Sequence, residues 1–450
     1  MDIFGFLPQF GGVAWQLAAF IIALSVIVAV HEYGHYIVGR WSGIHAEVFS
    51  IGFGPVLWSR TDRRGTRWQI AALPFGGFVK FAGDADAASG KDAQSMAAAQ
   101  ADPAALRRTM HGAPLWARTA TVAAGPAFNF AMSILIFTGI FMMQGTARDP
   151  LTVGQMQALP QGAFDLRAGD EIISVEGVPA PSIGDEEAWS AFSDALPLVQ
   201  PMDYVVRRDG VEMAVEGPFL MPPYVSQVAP RGAADDIDIR PGDVIVAVDG
   251  QPIFAFEQIR TAVEGSGGRV LQLEVWRDGQ IIPFALAPKR VDEPRPDGGF
   301  RTEWRIGILG GMAFEAATVT QGPGQALSGA VSQTWAVVEN SLSGLWHMVT
   351  GAISTCNMSG FIGIAEASGS MAEQGAESFI WFIAVLSVAV GLLNLFPIPV
   401  LDGGHLVFYA YEAVAGRPPS DRALRVLMGV GLTLVLSLMI FALANDILCP

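Results

Sequence analysis

The sequence predicts a polytopic α-helical membrane protein: four transmembrane helices, a membrane-associated β-hairpin, and two copies of an α+β module inserted between helices two and three. Three observations carry this reading. The 450-residue chain is 51% hydrophobic and only 16% charged, with a mean hydropathy of +0.39, whereas soluble chains carry about 25% charged residues. Four apolar segments reach the ~20 residues needed to cross a bilayer: Ala14–Val38, Trp116–Met143, Phe379–Leu401 and Val426–Leu443. The net charge of −16 is concentrated between Asp149 and Glu303, where 26 Asp/Glu face 12 Lys/Arg, so this block reads as a separately folded soluble part. Its acidity argues against nucleic acid as a partner.

In chain order, residues 1–40 form the first transmembrane helix and 41–82 the β-hairpin region. Residues 83–114 are a cytoplasmic connector and 115–145 the second transmembrane helix. The two copies of the module occupy 150–220 and 221–290, and 291–375 is an extracytoplasmic linker with an amphipathic helix. The third transmembrane helix is 376–405, followed by a cytoplasmic loop, 406–424, and the fourth transmembrane helix, 425–446. The N-terminus, MDIFGFLPQF, has no basic n-region, so the first apolar run is read as retained rather than cleaved. Cys356 and Cys449 lack metal-ligand spacing; they exclude a disulfide framework and leave a single bridge open.

The first helix ends on His31-Glu32-Tyr33-Gly34-His35. Positions i and i+4 share a helix face, so His31 and His35 can hold one metal ion between them. Imidazole suits Zn²⁺, and Glu32 beside them can take a proton from a water at the metal. Ionisable groups in hydrocarbon are costly and mark functional sites.

Ten Lys/Arg lie between Arg40 and Arg118, and Arg417, Arg422 and Arg425 come after the third span. The positive-inside rule puts these loops in the cytoplasm. Both termini and the acidic block are then extracytoplasmic, and the HEYGH end of the first helix faces the cytoplasmic side. Glu47–Phe81 has two β-like halves around a basic turn, with Gly52, Gly54, Gly76 and Gly77. It reads as a hairpin dipping toward the site, to whose edge a peptide could add as a strand. Gln325–Ile353 carries Leu327, Val331, Trp335, Val338, Leu342, Leu345 and Trp346 at helical spacing, an amphipathic helix for the outer membrane surface; His347 on it is a polar-face residue.

Within the acidic block, LRAGDEIISVEGVP at Leu166–Pro179 returns 73 residues later as IRPGDVIVAVDGQP at Ile239–Pro252. Each copy leads to a helical stretch and then a hairpin signal, Arg208-Asp209-Gly210 and Arg277-Asp278-Gly279. The third candidate metal ligand lies after two helix-breaking prolines in Asn394-Leu-Phe-Pro-Ile-Pro-Val-Leu-Asp402-Gly-Gly-His405. His31, His35 and Asp402 would leave a fourth tetrahedral position for water, as in catalytic zinc. His405 competes with Asp402 on ligand chemistry alone. His45 and His111 lack a partner at ligand spacing and read as loop histidines.

The repeated pattern resembles PDZ domains, so that the fold class becomes a four-helix membrane protein with two extracytoplasmic PDZ-like domains whose grooves could take peptide ends. With HEYGH, Gly52-Phe53-Gly54, Gly125-Pro126 with Asn129, Asn357-Met358-Ser359-Gly360 and Asn394–Gly404, nearly the whole chain resembles the site-two protease family of intramembrane zinc metalloproteases. The resemblance implies zinc on His31, His35 and Asp402, deciding against His405, with Glu32 as general base. It implies supporting roles for Asn394, Gly52, Gly54 and Asn357. One departure is Phe361, where the family has proline after Ser-Gly.

The resemblance also implies cleavage within a single-pass transmembrane substrate in the lipid bilayer, an anti-sigma factor or a remnant signal peptide, after a first extracytoplasmic cut. The location implied is the bacterial inner membrane. Two rival readings compete with it. A PDZ-bearing membrane receptor or scaffold with a structural metal has no use for Glu32 beside that metal. An ion transporter would show an inverted repeat of helices, which the sequence lacks.

Overall fold

The structure, a computed structural model, describes residues 12–85, 90–160, 162, 164–294 and 300–448. The N-terminal leader reading on residues 1–11, and Cys449, lie outside them. The chain forms two compact units. One runs to Gly139 and resumes at Leu327–Thr350 and from Thr355; the other is Ile140–Ala326 with Gly351–Ser354.

The first unit opens with α1 (Gly12–Trp41), an unbroken apolar helix that stops where Gly43 takes a left-handed φ of +82°. Strands β1 (Ala46–Thr61) and β2 (Arg67–Phe81) come next. The hairpin expected from the sequence is present as an antiparallel β1–β2 pair, and it is bent back on itself. Residues 48–51 pair twice, with 80–77 in descending register and with 67–70 in ascending register, while 56–61 pair with 71–67. The two strands therefore bend into a four-segment sheet ordered 56–61, 67–71, 46–51, 77–81. Gly52 and Gly54, at φ +88° and +82°, make the corner. A Cβ on Gly52 would stand 2.8 Å from Leu73 O and 2.9 Å from Ala71 O, so the doubling back needs glycine there.

Short helices α2 (Ala93–Ala99) and α3 (Pro103–Arg107), capped by Asp92 and Asp102, occupy the connector. Then α4 (Leu115–Gln144) carries Pro126 in its interior. A Cβ on Gly34 would stand 2.5 Å from Ala124 O, so α1 and α4 cross backbone to backbone at that point.

The second unit realises the sequence repeat as a structural repeat. After β3 (Thr146–Ala147) and β4 (Val153–Met156), the first copy contains β5 (Glu171–Val175), β6 (Val178–Pro179), α5 (Glu186–Ala195), β7 (Met202–Arg208) and β8 (Val211–Gly217). The second begins with β9 (Val225–Val228) and contains β10 (Val244–Val248), β11 (Gln251–Pro252), α6 (Phe256–Gly265), β12 (Leu271–Arg277) and β13 (Gln280–Leu286). The sheets have the same order, β6-β5-β7-β8 and β11-β10-β12-β13.

The hairpin β14 (Lys289–Pro294) and β15 (Phe300–Arg305) leads to β16 (Ile308–Gly310), which pairs with β9. Next come β17 (Phe314–Ala316), pairing with β4, and β18 (Thr318–Val319), pairing with β3. The expected consecutive copies, 150–220 and 221–290, are thus corrected to a nested arrangement. The second copy is inserted into the first, and Ala313 and Phe314 complete the first copy's core beside Val175, Tyr204 and Val206.

The Gly-Asp of each repeat has a structural explanation. Buried Asp170 takes Arg208 Nε and Nη2 at 2.7 Å each and the Arg167 N–H at 2.9 Å. Asp243 does the same with Arg277, at 2.7 Å and 2.7 Å, and with the Arg240 N–H at 2.8 Å. A buried carboxylate is tolerated when paired and hydrogen-bonded in this bidentate way.

The first unit resumes in α7 (Pro323–Val349), whose Leu327, Val331, Trp335, Leu342 and Trp346 are exposed. Residues 291–375, expected as linker plus one helix, also contain α8 (Phe361–Glu373). It packs on α1: Trp15 Nε1 donates to Gly369 O at 3.3 Å, and Phe20 meets Phe361 edge to face. The Asp446 carboxylate accepts the N–H groups of Gly360, Ile362 and Gly363. Phe361 sits at the first helical position, which favours proline because its N–H has no intrahelical partner, so phenylalanine fits without a lost bond. Cys356 is disulfide-bonded.

The third apolar helix, α9 (Ala376–Leu395), ends before Pro397, and α10 (Asp402–Ala415) starts at the LDGG. The third span expected to reach 405 is therefore two helices, and the expected loop 406–424 is helical to Ala415. Finally, α11 spans Asp421–Leu448. Among the described residues, α1, α4, α9 and α11 are long and apolar enough to cross a membrane.

Asp170 titrates below the ordinary aspartate range: burial pushes it up, but the Arg208 guanidinium and the Arg167 N–H outweigh that. The pair therefore stabilises the second unit above about pH 4, and its contribution is lost as pH falls through the depressed folded value. Arg208→Met in residues 140–326 is expected to lower the melting temperature at neutral pH. The gap to the parent should narrow by about pH 3. Equal melting temperatures at neutral pH would contradict the assignment.

Candidate metal centre

The C-terminal third of α1 presents His31 and His35 one turn apart, with ring centroids 4.7 Å from each other. The break between α9 and α10 brings Asp402 to them. A Cβ on Gly403 would collide with the carbonyl oxygens of Leu395 and Phe396, and one on Gly404 with that of Ile398. The glycine pair thus lets the first turn of α10 tuck under the end of α9.

His31 Nε2 and His35 Nε2 are 3.1 Å apart, and Asp402 Oδ2 lies 3.1 and 3.4 Å from them. Asp402 Oδ2 is buried without a hydrogen-bond partner. Tetrahedral ligands ~2.0–2.1 Å from a zinc ion stand ~3.3 Å from one another. Three lone-pair atoms converging at that spacing fit a cation. His31, His35 and Asp402 make up the three-residue group among the described residues that could hold a metal ion.

Both imidazoles are held from behind. His35 Nδ1 donates to Thr121 O at 2.8 Å, and His31 Nδ1 lies 3.2 Å from Asn129 Nδ2. Gly125, between them on α4, makes the room: a Cβ there would collide with the His35 ring and stand 2.8 Å from His31 Cε1. Arg118 on α4 grips Glu412 on α10 through two bonds of 2.9 and 2.6 Å, fixing the helix that bears Asp402. In the sequence Gly125 and Asn129 stand out only as motif letters, and Arg118–Glu412 does not stand out at all, because residues 294 positions apart announce no pairing.

The three residues line a cavity of about 560 Å³ with Glu32, Gly77, Phe78, Val79, Asn394 and His405 among its walls. The Val79 backbone lies beside the Glu32 carboxylate in the cavity wall. A Cβ on Gly77 would stand 2.9 Å from Val28 Cγ1 and 3.2 Å from Glu32 Cγ, so segment 77–81 lies directly against the glutamate. Asn394 donates through Nδ2 to Val390 O at 3.0 Å. His405 lines the cavity outside the three-residue group.

Other predicted residues lie elsewhere. Gly52 and Gly54 form the sheet corner and are not in the cavity wall. Asn357 belongs to the turn Thr355–Asn357, tied to α11 by Asn445 Nδ2 donating to Thr355 O at 2.7 Å. His111 lies 3.2 Å from the buried carboxylate of Asp84, and His347 Nδ1 contacts Ser343 O.

A family model described as peptidase family M50 matches residues 19–438. A protein of Agrobacterium fabrum named as a zinc metalloprotease is 34% identical over 441 residues, 97% of each chain. The regulator of sigma-E protease of Escherichia coli is 33% identical over 466 residues, covering 96% of this chain and 98% of its own. That of Salmonella typhimurium is 34% identical over 465 residues, with the same coverage.

Gly125→Ala is expected to leave the helices intact but displace both imidazoles. Zinc bound per mole of purified protein should drop severalfold; full zinc occupancy in this variant would reject the packing argument.

Proposed function

Because the chain belongs to peptidase family M50, the zinc metalloproteases of the site-two type, we propose that it cleaves a peptide bond inside the transmembrane helix of a single-pass substrate. The observation that carries this reading is the His31, His35 and Asp402 group with Glu32 in one cavity, on and beside membrane-length helices.

His31, His35 and Asp402 would hold the zinc. When bound, the metal supplies a Lewis acid that acidifies water and polarises a carbonyl. Glu32 accepts the proton of the attacking water and returns it to the leaving amine. Gly77, whose Cβ would stand 3.2 Å from Glu32 Cγ, leaves the room in which the carboxylate reaches the cavity. Asn394 is placed to donate to the substrate carbonyl once its amide leaves Val390 O. A substrate helix has its backbone bonded to itself and must unwind before a carbonyl can reach the site. Segment 77–81 is an edge of the β1–β2 sheet and lines the cavity, so an unwound substrate can pair along it and recover those bonds.

The two nested copies in the second unit are PDZ-like. The positive-inside distribution supports an extracytoplasmic place for them and a cytoplasmic-side place for the catalytic residues. The disulfide at Cys356 fits an oxidising compartment at the end of α11. Relatives named regulators of sigma-E protease support a role in regulated intramembrane proteolysis in a bacterial inner membrane, on an anti-sigma factor or a remnant signal peptide. The PDZ-like unit would exclude substrates that still carry bulky external domains and make cleavage depend on an earlier cut.

Glu32→Gln should retain zinc and lose about 10³-fold in cleavage of a model transmembrane peptide in detergent; undiminished cleavage rejects the mechanism. Deleting residues 146–319 should release cleavage from its dependence on a first cut. The deletion must extend to Val319 because β17 and β18 complete the first copy. If the dependence persists, the size filter is wrong.

A further inference from the structure

Asn129 is fully buried on α4, and its carboxamide meets His31 Nδ1 at 3.2 Å. Its backbone is fixed from outside the site: Ser133 Oγ and Ser387 Oγ donate to the Asn129 backbone carbonyl at 3.0 and 3.1 Å, and Ser133 Oγ also reaches Ala384 O at 2.8 Å. These bonds tie α4 to α9 beside the metal group.

The two histidines pose the same proton question. At His35 the partner of Nδ1 is the Thr121 carbonyl, which can only accept. The proton must therefore sit on Nδ1, and Nε2 is left with a lone pair. At His31 the partner is an amide, whose nitrogen and oxygen exchange places by a half-turn that leaves the heavy-atom shape unchanged. With Nδ2 toward His31, the ring would take that hydrogen bond on Nδ1 and carry its own proton on Nε2, facing Asp402. A protonated Nε2 cannot ligate. In that orientation Asn129 Oδ1 is also buried with no partner. The opposite orientation presents Oδ1 to an Nδ1–H and frees the Nε2 lone pair.

We propose that Asn129 is a positioning residue for the metal: its side-chain oxygen accepts the Nδ1 proton of His31, holding the ring in the tautomer whose Nε2 faces Asp402 and His35. It does for His31 what the Thr121 carbonyl does for His35. Partners of this kind typically change metal affinity about 10- to 100-fold when removed. The proposal rests on the reading that His31 ligates zinc.

The test is zinc affinity of the full-length protein in detergent, by competition with a chromogenic chelator, alongside the melting temperature of the metal-free form. Asn129→Leu removes the acceptor and is expected to weaken zinc binding about 10- to 100-fold, with the metal-free melting temperature little changed. Asn129→Asp keeps an acceptor in the same place and cannot donate, so it is expected to bind within about threefold of the parent. Parent-like binding by the leucine variant overturns the proposal. Weak binding by a folded aspartate variant also overturns it, since that outcome means the site needs the amide N–H; this arm decides even if the leucine variant does not fold. His31→Ala separates the two levels of argument. Parent-like zinc binding there sinks the metal-site reading itself. Loss in His31→Ala with no loss in Asn129→Leu sinks only the role of Asn129.

Discussion

Three lone-pair atoms aimed at one point, inside an apolar bundle, are the constraint on which the first unit depends. His31 Nε2, His35 Nε2 and Asp402 Oδ2 lie within 3.4 Å of one another. Without a cation that convergence is repulsive, and the surrounding hydrocarbon offers little screening. The architecture meets this by making each of the three side chains hard to move. His35 is bonded from behind to Thr121 O, His31 abuts Asn129, and the helix of Asp402 is gripped through Arg118 and Glu412.

Small residues make this closeness possible. Gly34 admits the α4 backbone, Gly125 admits two imidazoles, and Gly403 with Gly404 admits the carbonyl end of α9. Each replaces a side chain that would otherwise hold two elements several ångströms apart. The same logic applies beside Glu32, where Gly77 lets a strand edge lie against the side chain. One short segment thus lies against Glu32 and forms the edge of the β1–β2 sheet.

Much of this is legible in the sequence where it depends on local spacing. The i, i+4 histidines, the apolar runs and the repeated Gly-Asp pattern are short-range signals, and the helices and the repeated sheets form where those signals lie. The hidden part is long-range. The four-segment sheet depends on residues 48–51 pairing on both sides, which alternation along β1 and β2 cannot reveal. The nesting of one repeat in the other depends on β17 and β18 returning to β4 and β3 across more than 150 residues. The helix break before Asp402 is signalled by Pro397 and Pro399. The restart as α10 is not, because a proline ends a helix without specifying the conformation of the residues beyond it.

Nesting changes what the second unit can do mechanically. Two domains joined by one linker can swing about it. Here the chain passes between the copies twice, at Pro218–Tyr224 and at Gly310–Ala313. Those passages are bonded to each other, with the Ala313 N–H on Leu220 O at 2.9 Å. Phe219 meets Phe254 edge to face, and Ala255 of the second copy is buried in the core of the first. Independent motion of the copies would have to break that shared core, so the pair behaves as one body.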